Sequence, residues 1–167
     1  YADLTERLVD ALPAEGTVDA VGFSLGAYTL LELASRQPER FGRLVLAGIG
    51  DHAFERDEAE RRRLVAGVRG QAPDGDVHAE AFRHYAEQPG NDPEALAAVM
   101  ERPAAPFTDS QMAAVTCPVL VALGDRDFAR PADRLVAALA DARLVTLRNV
   151  DHFATPESFA FIDAMLG

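Results

Sequence analysis

The sequence predicts an α/β fold built on a mostly parallel sheet. Short, continuous apolar runs alternate with segments whose apolar residues recur at helical spacing. Strands of this kind are buried on both faces, which is typical of a parallel sheet covered by helices on each side. A second observation is the pentapeptide G-F-S-L-G at positions 22–26, which lies between an apolar run and a helical pattern. The chain of 167 residues, 49% of them hydrophobic, is long enough for one domain.

The N-terminal third predicts a β-α-β unit preceded by a helix. The first helix has its apolar positions at Leu4, Leu8, Val9 and Leu12, and the pattern ends near Pro13. The elements that follow are a strand at Val18–Phe23, a helix at Ala27–Gln37 and a strand at Leu44–Ile49. Two strands joined by a helix in this way are parallel.

Residues 51–112 interrupt this alternation. They are rich in charge and alanine, with helical patterns at 58–68, 78–88 and 93–102 and no strand-like run between them. We predict a helical cap or lid at 51–112, inserted into a core formed by residues 1–50 and 113–167; the alternative is a solvated helical excursion. Arg61, Arg62 and Arg63 stand among acidic residues, which indicates an ion-paired, exposed helix face.

The strand and helix alternation resumes after Pro118. The sequence predicts a strand at Val119–Leu123, a helix at 131–140, a strand at Leu144–Leu147 and a final helix at 156–166. In a parallel sheet the carboxyl ends of the strands meet at one edge, so the loops after the strands are the expected place for functional residues.

The composition excludes several classes of function. A formal net charge of −11 argues against binding to nucleic acid or to an anionic membrane surface, because both need clustered positive charge. All 16 basic residues are arginine, so a lysine Schiff base and a phosphate-binding P-loop lysine are excluded. Cys117 is the only cysteine and is predicted to be a small buried residue. We expect a small-molecule substrate, no cofactor and no metal; the oligomeric state stays open.

The sequence shows no targeting or membrane segment. No run approaches the roughly 18 apolar residues of a membrane span, and no signal peptide is visible, so we expect a cytoplasmic protein. The chain opens at Tyr1, without a methionine and almost at once in a helical pattern. We therefore expect a preceding segment, which could also carry a targeting signal.

Ser24, at the centre of the pentapeptide, is the candidate nucleophile. A serine hydroxyl reacts poorly until a base removes its proton, and the usual base is a histidine whose tautomer a carboxylate fixes. Suitable residues occur in the loops after the third and fourth predicted strands, where the first loop offers Asp125 and Asp127 and the second offers His152. Position in the loop alone does not decide whether Asp125 or Asp127 is the carboxylate that orients the histidine.

The other three histidines are weaker candidates for the base. His78 and His84 lie within the helical insertion, six residues apart, which is not a metal-ligand spacing. His52 follows the carboxyl end of the second strand and is a candidate substrate contact, with an ordinary loop histidine as the alternative.

The order Ser24, Asp127, His152, with G-x-S-x-G at a strand-to-helix turn, resembles the α/β-hydrolase superfamily. The stretch C-P-V-L-V-A-L-G-D-R-D at 117–127 is similar to that family's acid-bearing strand, whose acid stands three residues after the glycine. The resemblance thus implies Asp127 rather than Asp125. The D-H-F at 151–153, followed by Pro156, resembles the family's histidine loop. The stretch 51–112 falls where the family commonly inserts its cap, so the resemblance covers nearly the whole chain.

The resemblance implies a serine hydrolase that cleaves an ester, thioester or similar acyl bond, a carboxylesterase-like enzyme. Leu25 would supply one backbone N–H to the oxyanion hole. The family carries further strands and a second oxyanion donor ahead of its nucleophile strand, and this sequence lacks them, so we expect the C-terminal part of that fold. The alternatives are a ligand-binding sensor, or a lyase or peroxidase-like member of the superfamily.

Three phenylalanines neighbour the candidate residues in sequence, namely Phe23, Phe128 and Phe153. They are either apolar walls of a substrate pocket or ordinary core residues, and the sequence does not separate the two.

Overall fold

The computed structural model describes residues 4–55 and 57–167. Within them, residue contacts define two units. The larger unit contains the residues up to Glu55 and Pro106–Gly167, and the smaller unit contains the residues between these two segments, up to Ala105. The helices and strands, in chain order, are α1 (Leu4–Ala11), β1 (Val18–Phe23), α2 (Leu25–Arg36), β2 (Phe41–Ala47), α3 (Glu58–Val68), α4 (Val77–Ala86), α5 (Pro93–Met100), α6 (Asp109–Ala113), β3 (Val119–Gly124), α7 (Asp133–Ala138), β4 (Ala142–Leu147) and α8 (Phe159–Leu166). Short 3-10 helices lie at Pro38–Arg40, Asp51–Phe54 and Thr155–Glu157.

The larger unit is built on a four-stranded sheet in the order β1-β2-β3-β4, and every pairing is parallel. The register brings Phe23 beside Ala47 and Gly124 beside Leu147, at the last residues of the four strands. The carboxyl ends therefore meet at one edge, and the predicted α/β class with a parallel sheet is confirmed.

Burial on both faces explains why the central strands are continuous apolar runs. Leu46 and Val121 belong to the main core cluster, which also includes the inner face of α2. Their chain neighbours Ala47 and Ala122 belong to a second cluster, with Phe161 of α8. Because side chains alternate across a strand, the two clusters lie on opposite faces of the sheet.

The smaller unit consists of α3, α4 and α5. Each helix begins after an aspartate whose carboxylate accepts hydrogen bonds from first-turn amides, namely Asp57, Asp76 and Asp92. Gly67 lets α3 approach α4 closely, because a Cβ there would collide with the backbone of Ala79. The guanidinium of Arg69 pairs with Glu94 and Glu101, and these carboxylates raise its pKa.

The predicted insertion, 51–112, is longer than this helical unit. At its two ends Ala53 and Met112 are buried in the main core cluster of the larger unit. The role of the helices as a cap stays a prediction. None of the helices in the described residues is long and apolar enough to cross a membrane.

Candidate active site

Ser24 occupies a strained turn between β1 and α2. Its φ of 50° and ψ of −116° lie in a region that residues other than glycine rarely adopt, at a cost of about 1–3 kcal/mol. The turn is held by the Ser24 amide, which donates to the carbonyl of Ala47 (2.8 Å), and by the Ser24 carbonyl, which accepts from Tyr28 (3.1 Å). The hydroxyl consequently stands at the carboxyl edge of the sheet and at the N-terminus of α2, where the helix dipole is positive.

The two glycines of the pentapeptide are not equivalent. A Cβ at Gly22 would lie 2.6 Å from the Gly26 carbonyl oxygen, so only glycine allows the strand to pass this close to the helix. A Cβ at Gly26 would meet no described atom within 4 Å beyond its chain neighbours and the nearby backbone of its own helix. Steric necessity therefore explains Gly22 but not Gly26.

His152 and Asp127 lie beside Ser24. The Nε2 atom of His152 is 3.1 Å from the Ser24 Oγ, and its Nδ1 is 3.0 and 3.1 Å from the two carboxylate oxygens of Asp127. A carboxylate only accepts, so Nδ1 carries the hydrogen and Nε2 presents a lone pair to the serine hydroxyl. Both residues are 4% exposed. This arrangement can take a proton from the serine as its oxygen attacks a carbonyl carbon.

The loops that carry the acid and the histidine are fastened to each other. The Asp125 amide donates to Leu147 (2.9 Å) and the Arg126 amide donates to Val150 (3.1 Å). Gly124 is required at this crossing, because a Cβ there would collide with the Val150 carbonyl. The Asp127 carboxylate also accepts from the Ala129 amide at 2.8 Å, which fixes its orientation toward His152.

Three phenyl rings surround the imidazole of His152. The ring centroids of Phe128, Phe23 and Phe153 lie 4.3, 4.8 and 5.4 Å from that of His152. The structure thus brings these residues together with His152, and all three stay predicted pocket residues. Their packing restrains the imidazole in the plane that its two hydrogen bonds require.

Gly48 contributes to the packing around His152, and it was not among the residues predicted from the sequence. It follows β2 with a φ of +65°, and a Cβ there would lie 2.7 Å from Phe23 Cε2 and 2.9 Å from His152 Cε1. Its missing side chain is the space that the imidazole and the Phe23 ring occupy. The signal in the sequence was the pair of glycines, Gly48 and Gly50, directly after an apolar strand.

We expect Gly48→Ala to lower kcat/KM for an activated ester by about 10²-fold, because displacing the imidazole by about 1 Å spoils its alignment with the serine. The measurement is steady-state hydrolysis together with thermal unfolding. Gly16→Ala is the matched control, since Gly16 also has a positive φ, +85°, but a Cβ there would meet no atom of the described chain within 4 Å. Equal activity losses in both variants would contradict a specific role for Gly48.

The remaining candidates lie at the same edge of the sheet. Asp125 is exposed, and its backbone amide makes the hydrogen bond to Leu147 described above. Leu25 is the first residue of α2, where an amide has no carbonyl of its own helix to donate to, as an oxyanion donor requires. His52 lies in the 3-10 helix after β2, with its Nδ1 3.3 Å from the Ala129 carbonyl, and stays a predicted substrate contact.

Tyr28, one helical turn beyond Ser24, packs between His52 and Phe107. The ring centroids lie 5.8 and 6.0 Å away, and burial raises the pKa of the Tyr28 phenol. Among the described residues no group of three or more histidine, cysteine, aspartate or glutamate side chains is placed to hold a metal ion.

A parallel α/β sheet with a serine at a strand-to-helix turn, and an acid and a histidine on later loops, is the architecture of the α/β hydrolases. The model of the alpha/beta hydrolase family matches residues 1–163, and the chain belongs to this family. No curated protein sequence matches it significantly.

Solved structures agree with this assignment. A hydrolase from Pseudomonas aeruginosa PA01 is 26% identical, with a TM-score of 0.70 over 99% of this chain and 71% of that one. A carboxylesterase structure from Nitrososphaera gargenis is 16% identical, with a TM-score of 0.71 over 99% and 70% of the two chains. An enol-lactonase from Burkholderia xenovorans LB400 is 21% identical, with a TM-score of 0.63 over 90% and 66%. The last two similarities show the fold alone.

Proposed function

We propose that this protein is a serine hydrolase that cleaves a carboxylic ester, thioester or similarly activated acyl bond through Ser24, His152 and Asp127. The observation that carries the proposal is the unbroken hydrogen-bonded chain from the Ser24 hydroxyl through both nitrogens of His152 to the Asp127 carboxylate. The hydrogen bonds join residues that are far apart in sequence, since Ser24 and His152 are separated by 128 positions.

The first half of the reaction transfers the acyl group to the enzyme. Ser24 Oγ attacks the carbonyl carbon while His152 Nε2 takes the hydroxyl proton, and the carbonyl oxygen becomes an oxyanion. His152 then gives that proton to the leaving oxygen or sulfur as its bond to carbon breaks. In the second half, water repeats the attack with the same base, which releases the acid and restores Ser24.

The oxyanion is stabilised by the N-terminus of α2. The Leu25 amide would donate to the developing charge, and the positive end of the helix dipole favours it further. The strained backbone at Ser24 places the serine directly before the first residue of this helix. The acyl group would lie against the phenyl rings around His152, which favours an apolar acyl or alcohol portion in the substrate.

The solved structure with 26% identity supports the same reaction class, because it is described as a hydrolase. The carboxylesterase and enol-lactonase structures share the fold of this chain.

Multiple turnover on an activated ester tests the proposal. We expect p-nitrophenyl acetate to release many equivalents of p-nitrophenol per protein, with an acetyl group on the Ser24 peptide detectable by mass spectrometry after acid quench. Release that stops at one equivalent would contradict a hydrolase and favour a binding or sensor protein. Turnover with acetylation elsewhere would contradict Ser24 as the nucleophile.

A further inference from the structure

We propose that Asp51 is a positioning residue that holds the loop carrying Asp127, an inference that rests on the proposed function. Asp51 follows β2 and lies 76 positions from Asp127, and no motif connects the two. Its contacts are nevertheless with the segment just after the acid.

The Asp51 carboxylate caps α7 from outside that helix. The residue before α7 is Ala132, which has no side-chain acceptor for the first-turn amides. Asp51 Oδ1 instead accepts from the Leu135 amide at 2.9 Å. An acceptor at this place satisfies an amide that the helix itself leaves without a partner, and its negative charge suits the positive end of the helix.

The residues around Asp51 fasten the same segment. The Asp51 amide donates to the Pro131 carbonyl at 2.7 Å, and His52 Nδ1 donates to the Ala129 carbonyl at 3.3 Å. Gly50 permits this approach, because a Cβ there would collide with the carbonyls of Ala129 and Pro131. Residues 51 and 52 thus make three hydrogen bonds to the segment from Ala129 to Leu135.

Ala129 links the contacts of residues 50–52 to the carboxylate of Asp127. The Ala129 amide donates to the Asp127 carboxylate, while the Ala129 carbonyl is held by His52. Movement of the loop after Asp127 would therefore shift the carboxylate relative to His152. Asp51 acts on the reaction only by fixing where Asp127 stands.

The test is the rate of labelling by a fluorophosphonate in five variants: Asp51→Ala, Asp51→Asn, Asp51→Glu, Asp127→Asn and Asp51→Glu with Asp127→Asn. We expect Asp51→Ala and Asp51→Glu to slow labelling by about 10- to 10²-fold, since the loop loses its anchor or is displaced. Asp51→Asn should recover most of the rate, because its amide oxygen can still accept from Leu135. Asp133→Ala, which removes an exposed carboxylate of the same helix, is the matched control and should label normally.

The double variant separates positioning from general damage. If Asp51 acts through Asp127, Asp51→Glu should cause no further loss once Asp127 is asparagine. An equal loss in both backgrounds, or a slower Asp51→Asn than Asp51→Glu, would overturn the inference and leave the proposed function intact. Normal labelling of Asp127→Asn alone would instead contradict the proposed function. The comparison of Asp51→Asn with Asp51→Glu decides the matter even if Asp51→Ala does not fold.

Discussion

Replacing Ser24 with alanine is expected to lower kcat for ester hydrolysis by about 10⁴- to 10⁶-fold and to abolish fluorophosphonate labelling. The proposed covalent intermediate forms on the Ser24 Oγ, which lies 3.1 Å from His152 Nε2 and is the atom that the substitution removes. The measurements are kcat and KM on p-nitrophenyl acetate and the extent of labelling followed by intact mass.

Alanine at this position should leave the fold in place. Ser24 has a φ of 50°, so both serine and alanine are strained there, and the substitution removes only an oxygen. Ser35→Ala, on the same helix, is the control: its hydroxyl donates to the Glu32 carbonyl and lies away from the site, so its rate should match the wild type. Wild-type turnover in Ser24→Ala would show that the protein uses another nucleophile.

The elements that could be predicted from the sequence have strong periodic signals and clear ends. The predicted strand Val18–Phe23 coincides with β1, and the predicted helix at 58–68 coincides with α3. The predicted second strand is Leu44–Ile49, whereas β2 spans Phe41–Ala47. It begins earlier because Arg43 pairs with β1 although its side chain is charged, and it ends earlier because Gly48 turns the chain with a φ of +65°.

The short helix α6 was not predicted, for a physical reason. α6 has five residues, too few to show a period, and it is stabilised by a capping box in which Thr108 and Gln111 satisfy each other's backbone amides. The spacing of these two residues was the available signal.

The residues of the candidate site also fall into those that could be predicted from the sequence and those that could not. Ser24, His152 and the pair Asp125 and Asp127 could be proposed because each follows a strand, and parallel strands bring such loops to one edge. The choice of Asp127 over Asp125 came from the resemblance to the α/β-hydrolase superfamily. The residues that position Ser24, Asp127 and His152 could not be predicted, because their roles depend on contacts between distant segments of the chain. Gly48 meets the imidazole of a residue more than a hundred positions away, and Asp51 accepts from Leu135, which is 84 positions away.

The second large effect is expected from Asp127→Asn, which should lower kcat by about 10⁴-fold with little change in KM. An asparagine amide would donate to His152 Nδ1 instead of accepting from it. The imidazole would then carry its hydrogen on Nε2, which could no longer take the proton of Ser24. The buried carboxylate accepts from the Ala129 amide as well, and the asparagine oxygen can keep that contact, so the loop should hold its place.

Asp125→Asn is the matched control, because it makes the same chemical change two residues away on the same loop. Asp125 is exposed, whereas Asp127 is 4% exposed and 3.0 Å from His152 Nδ1. We expect Asp125→Asn to keep a near wild-type rate. The opposite ranking would mean that the loop rearranges to present Asp125 to His152 during the reaction. A small loss in both variants would mean that the imidazole keeps its tautomer without a carboxylate, and it would remove Asp127 from the proposed mechanism.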